Sequence, residues 1–175
     1  MHPHSALILS SRVDAKANGG GEPHVADMEV ISAQAVLMQA GGITFNAMKT
    51  GDIAGILVGL VALAYHSLLA VSVLRCEVGA YAAEKKFSYQ LLDIMRLLSG
   101  KINDCSDGEA KDYSALYYVC SHLATNFLNA DFGKAFEVYH DGYSGCINEN
   151  ADADNSNPLL LPQLKLPDLT DCLYE

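Results

Sequence analysis

The sequence predicts an all-α domain, a bundle of about five helices finished by an extended, Pro-rich C-terminal strap. Three observations carry this. The middle of the chain is rich in Ala, Leu, Val and Tyr and nearly free of Pro, a composition that favours helices. Its apolar residues recur at three- and four-residue spacing. No stretch alternates apolar and polar residues as a half-buried strand does. At 175 residues with 50% hydrophobic content, the chain is large enough to enclose one core.

The elements divide into residues 1–23 as a flexible N-terminal arm, 24–145 as the helical bundle, and 146–175 as a loop and strap. Asn18-Gly19-Gly20-Gly21-Glu22-Pro23 closes the arm with turn formers. The apolar run near the start, Ala6 to Leu9, follows no Lys or Arg and is short for a signal core, so no export signal is read and a cytoplasmic location is expected. From His24 to Gln39, Val25, Met28, Ile31, Ala35 and Met38 fall on one helical stripe. Gly41-Gly42 weakens the pattern, with a kinked continuation over 43–49.

Thr50-Gly51-Asp52 is a break followed by a helix start, Asp52 being placed to cap. From Ile53 to Leu74 no residue is charged. That length suffices to cross a bilayer, and Gly55 and Gly59 form a GxxxG spacing. Burial inside protein is the favoured reading, because the flanks lack a basic cluster or aromatic belt and His66, Ser67 and Ser72 dilute the run. So apolar a helix exceeds what a small monomer is expected to cover, which points to a homodimer.

A third helix is predicted over 77–99, with Tyr81, Phe87, Leu91, Ile94, Met95 and Leu98 inward, closed by Ser99-Gly100 and a polar loop over 101–107. Ser106 and Glu109 have capping-box spacing for a helix running to Leu128, with Leu116, Val119, Cys120, Leu123 and Phe127 inward. A short helix is predicted over 131–141, from Asp131 to a stop at Gly142. Residues 146–157 read as a polar loop. The tail PLLLPQLKLPDLTDCLYE holds three of the five prolines, hence the strap.

The net charge of −10 argues against binding nucleic acid or an anionic membrane, both of which need a basic face. A nucleotide remains compatible if a divalent metal bridges the like charges. The five cysteines include no CxxC and are read as reduced thiols. His66 reads as a core histidine, and His122 and His140 with Asp141 as a possible pair.

Several strings resemble the all-α nucleoside triphosphate pyrophosphohydrolases, the MazG-like and phosphoribosyl-ATP pyrophosphohydrolase-like group. Gly51-Asp52-Ile53 through Ala64-Tyr65 is similar to the family's Gly-Asp break and second helix. Asp112-Tyr113-Ser114-Ala115-Leu116-Tyr117-Tyr118-Val119 forms a second match, continuing through Asp131-Phe132 into Phe136-Glu137-Val138-Tyr139-His140. Leu166-Pro167-Asp168-Leu169 is similar to the family's tail. The resemblance implies an Mg²⁺-dependent hydrolase that cleaves a nucleoside triphosphate to monophosphate and pyrophosphate, using clustered carboxylates. In the first match Gln39, Ala40, Ile43, Gly59 and Ala62 stand where acids are expected. In the second, Asp112 falls on the Glu position and Ala115 replaces the Asp. The metal set implied is therefore Glu109, Asp112 and Asp93. The same substitutions fit an inactive helical binding or oligomerisation protein, because Val58, Gly59 and Ala62 make a face that another helix can cover. A membrane-associated helical protein is the third expectation.

Overall fold

The computed structural model describes residues 3–12, 27–73, 78–79, 87–149 and 167–174. Among them the fold is all-α: α1 (Pro3–Arg12), α2 (Asp27–Thr50), α3 (Ile53–Val73), α4 (Leu91–Asp104), α5 (Ala110–Asn126) and α6 (Phe132–Glu149). Short 3₁₀ turns at Cys105–Asp107 and Thr170–Cys172 complete it. A single isolated antiparallel bridge, Ala130 with Leu173, is the extended pairing among the described residues.

The centre is α3. Every residue from Ile56 to Val71 is buried. The cover comes from this chain alone, since α1, α2, α5 and α6 all pack against the helix. Its length and composition would span a bilayer, yet 89% of its most apolar window lies inside the protein. The expectation that one chain is too small to cover this helix is thereby corrected: helices on several sides enclose it. Full burial of a Leu, Ile or Val contributes about 1.5–3 kcal/mol, so the helix dominates the core.

The α2–α3 hairpin is fixed locally. Gly51 adopts φ +70 and ends α2, with Gly51 N–H donating to Met48 O and Asp52 N–H to Ala47 O. These are the paired bonds of a Schellman ending, which an αL residue permits. Asp52 Oδ1 then accepts the Gly55 N–H at 2.9 Å, the cap expected of it. The two helices then come close. A Cβ added at Gly59 would lie 2.9 Å from Thr44 Cα, and one at Gly55 would lie 3.1 Å from Ala47 Cβ. The GxxxG spacing serves packing within one chain.

Several elements differ from the sequence reading. Residues 1–23 are not an arm throughout, because Pro3–Arg12 is a helix whose Ile8 is 1% exposed against the core; residues 13–23 lie outside the described set. Gly41-Gly42 does not interrupt α2, and α4 exploits the missing Cβ: Ile102 Cδ1 lies 2.8 Å from where it would sit at Gly41. The helix predicted over 77–99 begins only at Leu91. Phe87 and Tyr89 instead stack on His122 of α5, and Ser88 Oγ donates to Asp93 Oδ2 at 2.7 Å. Residues 80–86 lie outside the described set. The predicted loop 101–107 is largely the end of α4, because Ile94, Leu98, Ile102 and Cys105 continue the buried stripe.

Ser106 and Glu109 form no capping box. Ser106 sits in the 3₁₀ turn, and Glu109 is the N-cap of α5 without a side-chain bond. Leu116, Val119, Cys120 and Leu123 are buried as expected. Asp131 caps α6, accepting the Lys134 N–H at 3.0 Å. The helix runs past Gly142 to Glu149, where a stop was expected. The rest of the predicted loop, 150–157, and residues 158–166 of the strap lie outside the described set. The end of the strap does pack on the bundle: Leu169 and Cys172 are buried, Asp131 N–H donates to Cys172 O, and Tyr174 N–H donates to Asn129 O.

Candidate functional site

Three places hold the chemistry. The first is an acidic corner at the N-terminus of α5. Asp112 lies in its first turn, with Asp104, Asp107 and Glu109 nearby. Burial, and then these carboxylates, raise the Asp112 carboxyl above its ordinary range, with Lys111 opposing. Beneath it, Cys105 is buried, and its thiol is pushed up to about 12 by burial and by Asp112 and Asp104. A thiol so raised stays protonated and is a poor nucleophile.

Of the acids implied by the resemblance, Glu109 and Asp112 come together and Asp93 does not. Asp93 sits in the first turn of α4, accepting from Ser88 and pairing with Arg96 at 3.4 Å. Asp104, which neighbours Asp112, ends the same helix, and at 1.5 Å per residue that places Asp93 about 16 Å away along the axis. Among the described residues, no three His, Cys, Asp or Glu side chains are arranged to hold a metal ion. The donor set therefore fits a bound Mg²⁺ poorly.

The second place is a Tyr–His knot inside the bundle. Tyr65 and His66 of α3 meet Phe136, Tyr139, His140 and Tyr143 of α6. Tyr65 Oη and His140 Nδ1 are 3.0 Å apart, and Tyr139 Oη and His66 Nε2 are 3.4 Å apart. His4 of α1 joins from outside, stacking on Phe136 with ring centres 4.2 Å apart and reaching Tyr117 Oη at 2.8 Å. Burial lowers His66 to about 3, so it is neutral at physiological pH. His140 is also lowered by burial, against the pull of Asp141. Burial pushes the Tyr139 hydroxyl up. Burial is the cause of the His66 shift, and among the described residues His66 Nδ1 is buried without a hydrogen-bond partner; the knot reads as aromatic packing around a neutral core histidine. His122 and His140 have separate partners: His122 lies between Phe87, Tyr89 and Asn126.

The third place was missed by the sequence reading. The stripe Met28, Ile31, Ala35, Met38 does not face the core. Met28 is 66% exposed, Ile31 57% and Met38 54%, with Ala35 and Gly42 also exposed. The buried face is the other one, carrying Ala33, Val36, Leu37, Ala40 and Thr44. A shallow groove of about 290 Å³ runs along this outer face, lined by Val30, Ile31, Gln34, Ala35, Met38 and Ser106. The signal was present in the sequence, because α2 has two apolar stripes and one contact can bury only one.

No protein-family model, curated protein or solved structure matches this chain.

Proposed function

We propose that the chain is a helical binding protein without a reaction of its own, presenting the outer face of α2 to another helix. The observation that carries this is the row of exposed large apolar side chains, Met28, Ile31 and Met38, beside an open apolar groove. Contiguous apolar surface on a small domain marks an interaction site, and a groove beside a ridge suits a helix partner. The enclosure of α3 by protein supports a chain that works without a bilayer. A photo-reactive residue placed at Ile31 is expected to capture a protein, whereas one at Glu137, exposed on α6, captures none. Equal labelling at both positions would defeat the reading.

A second reading rests on the acidic corner. Glu109 and Asp112 would serve a divergent Mg²⁺-dependent nucleoside triphosphate pyrophosphohydrolase; their meeting at the N-terminus of α5 with Asp104 and Asp107 nearby is what supports it, and the lack of a three-donor set among the described residues ranks it second. Incubation with Mg²⁺ and a panel of NTPs and dNTPs decides. Pyrophosphate release abolished by Asp112→Asn would put this reading first; no release leaves the binding reading in place.

A further inference from the structure

We infer that the occupant of the α2 face is a second copy of the same chain, lying antiparallel across a two-fold axis. This rests on the binding reading above and names its partner. Three observations select a second copy.

The first is spacing. Met28, Ile31, Ala35, Met38, Gly42 and Phe45 are separated by alternating steps of three and four, the seam pattern of paired helices. All but Phe45, which is half-buried, are exposed. Gly42 is mid-helix, and a Cβ there would meet nothing within 4 Å. Packing within the chain gives no reason for a glycine at that point, but the close approach of a second helix does.

The second is size. When α2 is laid antiparallel on itself so that alternate seam positions oppose, Ile31 faces Gly42, Ala35 faces Met38 and Met28 faces Phe45. Two of these layers set a large residue against a small one, so the surface is its own complement, as a two-fold interface requires.

The third is charge. Two copies each carrying −10 repel unless they meet on a neutral face. No charged residue lies between Glu29 and Lys49, and the exposed residues bordering the seam include Gln39 and Asn46. Asp27 and Glu29 mark one end of the helix and Lys49 the other. The antiparallel arrangement brings the Lys49 end of one copy to the acidic end of the other; a parallel one would stack the acids.

Sedimentation of the full chain tests this. A concentration-dependent dimer is expected, with its dissociation constant raised at least about tenfold in Ile31→Glu/Met38→Glu. Both positions are exposed, so the double variant retains its helicity by circular dichroism. For orientation, Met28→Cys mixed with Asn46→Cys is expected to form an oxidised cross-link that neither variant forms alone, above the wild-type background. A wild-type chain that stays monomeric at high micromolar concentration overturns the inference while leaving the photo-capture test of the binding reading untouched. A dimer indifferent to the two glutamates also overturns it. Self-linking of Met28→Cys would overturn the antiparallel arrangement.

Discussion

Two neighbouring helices are almost free of charge through their middles, and they end differently. The core helix α3 meets protein on all sides, with four helices around it. Its hairpin partner α2 rests on α3, on α4 and on the turn Cys105–Asp107, and among the described residues its other side is exposed. Hydrophobicity drives both inward, but the number of available neighbours decides how much of each is hidden. The comparison teaches that exposed Met28, Ile31 and Met38 are not an overflow of the core. They are a second apolar stripe on a helix whose first stripe is already satisfied.

The sharpest way to break this contrast is at the contact between the two helices. Gly59→Leu would force a side chain into Thr44 and its backbone, where no flexible tip can yield. A loss of more than about 4 kcal/mol is expected, read as failure to unfold cooperatively in urea. Next come paired truncations. Leu60 is fully buried, and Leu60→Ala is expected to cost about 2–5 kcal/mol. Ile31→Ala on the bare face is expected to stay within about 0.5 kcal/mol for the single chain. Equal losses at the two sites would erase the distinction.

A smaller effect concerns acid. His66 is held neutral, its folded value lowered by burial to about 3, whereas the unfolded chain titrates near 6.5. The unfolded state therefore binds the extra proton first. Stability is full above about pH 6.5 and falls as pH drops from there toward 3, by about 1.4 kcal/mol per pH unit for this residue. His66→Gln is expected to flatten the dependence of urea midpoint on pH between 6.5 and 5 by about that slope. Smallest is Gly42→Ala, with open space around its Cβ; in dilute solution it is expected to gain up to about 1 kcal/mol by helix propensity.

Much of the fold was legible. The uncharged run from Ile53, the Gly51-Asp52 break and the Asp131 start are local signals, and each appears where the residues place it. The inward stripe of α5 was legible for the same reason. What failed was any choice that depended on neighbours. The stripes of α2 are equally apolar, so only the positions of α3 and α4 decide which is hidden. The start of α4 was misplaced because Phe87 and Tyr89 stack on His122, a contact across more than thirty residues. The acidic corner was half legible: Glu109 and Asp112 share one helix start, but spacing alone does not reveal that Asp93 sits at the far end of α4.

The enclosure of α3 also has an order in time. Much of its cover, Ala110–Asn126 and Phe132–Glu149, lies later in the chain. During synthesis from the N-terminus, an apolar rod therefore emerges well before its lid. Ribosome-bound chains ending near residue 109 should hold a chaperone or stick to one another, and chains extended past residue 149 should release it. For this protein the vulnerable species is the half-made one.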